Sequence, residues 1–164
     1  MNWRLILVPQ DFSDGASRAQ ELAAELAERF QAQIVLLHGT PLPTGMSASS
    51  LIHAGDAPGA IPVDELATRA ALVQLDRRAE ALRARGLAVS TVALVGAIAE
   101  TILEEARSRP VDVIVMGTHG RCGLAHWLLG SVAETVVRQA LVPVVTVRDP
   151  VNRPVDSRQP PFRA

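Results

Sequence analysis

The sequence predicts a doubly wound, Rossmann-like α/β domain, with a five-stranded parallel sheet and helices on both faces. Three observations predict it. Short β-rich runs alternate strictly with longer stretches of helical spacing along the chain, which is the pattern of successive βαβ units. The run Val111–Met116 is nearly continuous in apolar character, as a parallel strand buried on both faces must be. The composition is 48% apolar but only 3% aromatic, with no Tyr, so the core is aliphatic, and branched aliphatic side chains suit doubly buried strands.

The strand candidates, in order, are Arg4–Val8, Gln33–His38, Leu87–Val95, Val111–Met116 and Val142–Arg148. Each is a short run rich in Val, Ile and Leu. In the first intervening stretch Ala16, Ala19, Ala23, Leu26, Ala27 and Phe30 recur at intervals of three and four. The second helix spans about Val63 to Arg85, with Leu72, Leu75, Ala79 and Leu82 on one stripe. The third carries Ile98, Ile102 and Ala106, and the fourth Val132, Val136 and Ala140. Gly86 ends the second helix and Pro110 follows the third, as helix stops should. The adjacent Arg77 and Arg78 read as a solvated helix face. Residues 40–61, rich in Gly, Pro and Ser, read as a long variable loop. Residues 149–164, with four prolines and three arginines, read as a flexible tail.

Composition also excludes. The formal charge is −1 over 164 residues, so no field exists to hold a nucleic-acid backbone. Every basic side chain other than histidine is Arg; without Lys, a P-loop lysine, a kinase strand lysine and a Schiff base are all unavailable. The single cysteine, Cys122, cannot form an internal disulfide, which suits a reducing compartment. The apolar start Met1–Val8 is too short for a signal-peptide core or a membrane span. The expectation is a soluble cytoplasmic protein with no nucleic-acid or membrane partner.

The chemistry concentrates after the fourth strand. Gly117 and Gly120 sit at its carboxyl end, where open α/β sheets bind ligands. Gly130 and Ser131 introduce the last helix, whose first N–H groups lack intrahelical acceptors and carry about half a positive charge. Glycines admit positive φ and let backbone amides approach an anion. Backbone donors plus Arg121 could therefore cradle a phosphate without lysine. A second account stands beside it: Ser131-x-x-Glu134 is a capping box, and the glycines could simply turn the chain. Cys122, beside Arg121, invites a redox role but lacks the His-Asp arrangement of a catalytic nucleophile. His119 and His126 lack the regular spacing that would aim both at a metal.

The spacing Gly117-x2-Gly120-x9-Gly130-Ser131 resembles the G-x2-G-x9-G-[S/T] signature of ATP-binding universal stress proteins. The flanking runs around it, Val8-Pro-Gln-Asp-Phe-Ser13 and Pro143–Arg148 are similar to that family too, so the likeness spans Arg4 to Arg148. The resemblance implies a nucleotide-binding domain over 1–148 and the strand order 3-2-1-4-5. That order sets the first and fourth strands side by side at the switch point, so that Asp11 and Gly117 face one crevice. It implies that Pro9, Asp11, Gly39, Met116 and Gly117 line the adenine and ribose end. His119, Gly120, Arg121, Gly130, Ser131 and Val132 would meet the phosphates of ATP, ADP or AMP, with or without Mg. Asp11 would accept from ribose hydroxyls or lie near a phosphate-bound metal; its other role is to cap the following helix, which Ser13 can also do. Two departures are visible: Gly39 stands where many relatives have Val, and Ala133 where triphosphate binders often have Ser or Thr.

The resemblance further implies a homodimer through Val142–Val147 and a regulatory stress-response module read by a protein partner that the sequence does not identify. The alternatives are a nucleotide-free dimeric scaffold or chaperone-like protein, and a weak ATPase. Enzymes of related fold need motifs such as H-x-G-H or S-G-G-x-D-S, which do not occur.

Overall fold

A computed structural model describes residues 2–42, 45, 47, 50–53, 60–118 and 130–148. The main sheet comprises β1 (Leu5–Pro9), β2 (Gln33–Thr40), β5 (Val89–Val95), β6 (Val113–Gly117) and β7 (Val144–Val147). All four pairings are parallel and the order is β5-β2-β1-β6-β7. Counted among the main-sheet strands alone, that is 3-2-1-4-5. Helices α1 (Asp14–Phe30), α2 (Val63–Arg83), α3 (Ile98–Ser108) and α4 (Ser131–Gln139) supply the crossovers.

Alternation along each strand sorts the core into two layers. Ile6, Val8, Ile34, Leu36, Val113 and Val115 pack with Ala19, Ala23 and Ala27 of α1 and Leu75, Ala79 and Leu82 of α2. The intervening Leu7, Val35, Leu37, Ile114 and Met116 pack with Ile102 and Leu103 of α3 and Ala133 and Val136 of α4. Both faces are covered, which is why β6 reads as an unbroken apolar run. The stripe of alanines on α1 lets that helix lie close to the sheet.

Strand and helix ends differ from the sequence expectation by one or two residues, as ends commonly do. One difference is larger. The stretch expected as the loop 40–61 contains a two-stranded antiparallel ladder, β3 (Leu51–His53) with β4 (Ala60–Pro62). Strands of three residues are too short to establish a period among Gly, Pro and Ser. Gly86, at φ 83, ends the turn after α2 as its sequence suggests. Residues 149–164, expected as a tail, lie outside the described residues. No helix among the described residues is long and apolar enough to cross a membrane.

Candidate functional site

The carboxyl ends of β1, β2 and β6 meet at the reversal of strand order, where doubly wound sheets open a crevice. Pro9 pairs with Leu37 across β1 and β2. The β1–β6 register, fixed by Ile6–Val113 and Leu7–Ile114, brings Met116 beside Pro9 when carried on two residues. Pro9, Asp11, Gly39, Met116 and Gly117 thus come from three adjacent strand ends and the turn after the first. Met116 is buried and Pro9 and Gly117 are half-buried.

The fourth helix starts at the same edge. The N–H of Gly130 donates to the carbonyl of Thr118 at 2.8 Å, and the N–H of Thr118 donates to Val147 at 3.0 Å. These bonds seat the start of α4 on the ends of β6 and β7. Gly130 is the N-cap, extended at φ −58 and ψ 148, and among the described residues no side chain caps the helix. The capping box expected at Ser131 is therefore not formed. Ser131 is the first helical residue and is exposed, while Glu134 turns to Arg138 at 3.1 Å. The helix begins one residue earlier than S-x-x-E requires, because Gly130 rather than Ser131 has the extended backbone of a cap. Among the described residues, the amides of the first turn accordingly have neither an intrahelical acceptor nor a side-chain cap.

Gly117 is needed for closeness, not for left-handed backbone. A Cβ there would stand 3.0 Å from the Gly15 carbonyl carbon and 3.2 Å from the Ala16 nitrogen. Gly39 is a second close approach: a Cβ would stand 2.9 Å from Thr101 Oγ1 and 3.4 Å from Ile98 Cα and Cγ2. The space of a side chain at position 39 is thus filled from α3 by Ile98 and Thr101. Ala133 is only 3% exposed and packs in the core with Met116. Its methyl belongs to the α4–sheet interface rather than to a row of donors.

Ser13 caps α1, its hydroxyl accepting from Ala16 N–H at 3.1 Å. Asp11 does not cap the helix directly, yet it is not independent of the cap. Its Oδ1 accepts from the Ser13 N–H at 3.0 Å and from the Ser13 hydroxyl at 2.6 Å. Behind this turn, the Gln10 N–H donates to Leu37 at 2.7 Å, and its side-chain amide donates to Ala16 at 3.2 Å.

One residue of this region escaped sequence reasoning. Arg77 is exposed as expected, but Arg78 is half-buried. It donates to Ser17 Oγ at 2.9 Å and to the Phe12 carbonyl at 3.4 Å, and its Cζ lies 5.5 Å from the Phe12 ring centroid. The signal was present: Arg78 is three residues beyond Leu75 and four before Leu82, on the flank of the buried stripe, whereas Arg77 is not. His119, Gly120 and Arg121, together with Cys122 and His126, lie outside the described residues. Among the described residues, no group of three or more His, Cys, Asp or Glu could hold a metal ion.

The model of the universal stress protein family matches residues 2–148. Universal stress protein MJ0531 of Methanocaldococcus jannaschii is 30% identical over 150 residues, 90% of this chain and 84% of that protein. The solved structure of hypothetical protein MJ0577 has a TM-score of 0.72 and 27% identity, covering 91% of this chain and 98% of that one. The fold is shared with a universal stress protein in complex with cAMP, at TM-score 0.67 and 20% identity over 90% of this chain and 98% of that chain. It is shared equally with one from Archaeoglobus fulgidus in complex with dAMP, at 0.62 and 23% over 90% and 99%.

Proposed function

This chain belongs to the universal stress protein family, and on that premise we propose that it is a regulatory module of the ATP-binding subgroup, working as a homodimer in the cytoplasm. The observation that carries the nucleotide reading is the uncapped start of α4, seated by the Gly130–Thr118 bond on the strand ends that hold Met116 and Gly117. Donors without acceptors at a helix start favour an anion. The half-buried and buried groups next to them, Pro9, Met116 and Ile98, suit a base. That two proteins of the same fold are complexes with cAMP and dAMP supports an adenine ligand.

In this proposal Gly130, Ser131 and Val132 contact the phosphates, joined by His119, Gly120 and Arg121. Pro9, Gly39, Met116 and Gly117 border the base and ribose. Asp11 meets the ribose hydroxyls. A magnesium ion arriving with a triphosphate would rest mainly on phosphate oxygens, with Asp11 the nearest carboxylate in the site.

Holding a triphosphate by backbone donors stabilises developing charge, but no side chain in the described crevice is placed to activate a water. Hydrolysis should run far below the ~10 s⁻¹ typical of enzymes. Calorimetric titration of the full chain with ATP, ADP and AMP tests the binding. Saturable heat for at least one of them is the expected result. No heat up to millimolar nucleotide would overturn the proposal in favour of a nucleotide-free scaffold.

A further inference from the structure

We propose that Phe12, His38 and Arg78 form a clamp that holds the Asp11–Ser13 turn in the shape the ligand requires, with Arg78 acting from α2 as a positioning residue. This role rests on the nucleotide-binding function proposed above. Phe12 has φ 66, and among the described residues only Gln31 shares a positive φ without being glycine. Gln31 ends α1, where the left-handed conformation is ordinary. Phe12 has no such excuse. It lies between Asp11 and the N-cap Ser13, and a bulky residue in that region is unfavourable unless its surroundings impose it.

The surroundings do impose it. The His38 ring stacks on Phe12 with centroids 4.7 Å apart and planes 29° from parallel. His38 is itself fixed, its Nδ1–H donating to the Gln10 carbonyl at 2.6 Å. The Arg78 guanidinium lies 5.5 Å from the Phe12 centroid, a cation–π distance. The same guanidinium grips the turn from both ends, through the Phe12 carbonyl and through Ser17 Oγ. Ser17 Oγ in turn donates to the Ser13 carbonyl at 2.9 Å. A turn needed only to join β1 to α1 could relax to negative φ. Here a histidine from β2 and an arginine from α2 converge on the Phe12 ring to prevent that, beside the carboxylate of Asp11. The strain is concentrated where positioning matters.

The test separates positioning from mere stability, because a second substitution should restore what the first removes. In the full chain, Arg78→Ala should weaken AMP and ATP binding about tenfold, ~1.4 kcal/mol. Glycine adopts positive φ without a clamp, so Arg78→Ala with Phe12→Gly should recover affinity to within about threefold of the starting chain. Unchanged affinity in Arg78→Ala would overturn the clamp, and so would a loss that Phe12→Gly leaves in place. If Arg78→Ala does not fold, Arg78→Gln takes its place in the same pair. Amide exchange at Ser13 and Ala16, measured without nucleotide, gives an independent readout. It should accelerate about tenfold in Arg78→Ala and return in the double variant; no acceleration would refute the clamp. If the starting chain binds no nucleotide, the exchange result still decides the clamp, and only the proposed function falls.

Discussion

Gly15 and Gly117 touch backbone to backbone: a Cβ on Gly117 would stand 3.0 Å from the carbonyl carbon of Gly15. The first turn of α1 therefore rests directly on the end of β6, and neither partner can swing aside as a side chain would. Gly117→Ala should cost about 1–3 kcal/mol, the usual range for overpacking. For a chain of this size each kcal/mol lowers the melting temperature by about 2–4 °C. Thermal unfolding checks this, and a melting temperature within roughly 1 °C of the starting chain would show that the approach is not tight.

Gly39 makes its close approach to a side chain instead, and that difference is measurable. The nearest obstacle to a Cβ is Thr101 Oγ1 at 2.9 Å, held in place by its bond to the Ile98 carbonyl at 2.8 Å. Gly39→Ala alone should destabilise, and Thr101→Ala should relieve much of the cost. The coupling energy expected for such contacting residues is about 0.5–3 kcal/mol. Urea unfolding of the two single variants and the double variant measures it. Strict additivity would mean that the backbone at Ile98, 3.4 Å away, sets the limit.

Asp11 and Ser13 divide two tasks that sequence alone left overlapping. Ser13→Ala removes the cap of α1 and should cost about 1 kcal/mol of stability. Asp11→Asn keeps an Oδ1 acceptor for Ser13 and leaves the α1 cap in place, so it should cost less stability than Ser13→Ala. The charge is lost, however, and nucleotide affinity should fall by several-fold, about 1 kcal/mol. Chemical denaturation and calorimetry together separate the two effects. Equal stability losses in both variants would contradict this division.

The parts that were legible are those written as periodicity. Leu75, Ala79 and Leu82 mark the buried face of α2, and Val113–Met116 shows burial on both sides without any partner being known. The strand order came from family resemblance, since periodicity says which face is buried and not which strand lies next. What stayed hidden depended on tertiary distance. Nothing local reveals that Gly39 is a space filled by Thr101, or that Gly117 touches Gly15, because these contacts span some sixty and a hundred residues. Ser131-x-x-Glu134 misled because a capping motif is realised only if the chain enters with its serine extended, and here Gly130 takes that conformation. Arg78 was hidden for the opposite reason: two adjacent arginines look equivalent until the phase of the helix is compared with a strained turn elsewhere.

In the proposed homodimer the outer edge of β7 takes the strand of a second copy, and the ladder shows how to test this without harming the fold. Among the described residues β7 pairs only with β6, and Leu141, just before it, is 86% exposed. The Pro143 carbonyl accepts from Ile114 and the Val147 carbonyl accepts from Thr118. In a parallel ladder alternate residues bond to the same neighbour, so Pro143, Val145 and Val147 serve β6 while Val144 and Thr146 face outward. Val145 also packs against the α1 side of the core, and altering it would confound folding with assembly. Thr146 is exposed and its N–H points away from β6. Thr146→Pro removes one outward donor and leaves the inner ladder intact, as proline on an edge strand can. The expected outcome is a monomer in sedimentation velocity with a near-native circular dichroism spectrum, while the unaltered chain sediments as a dimer. A Thr146→Pro chain that remains dimeric would place the two-fold interface elsewhere on the molecule.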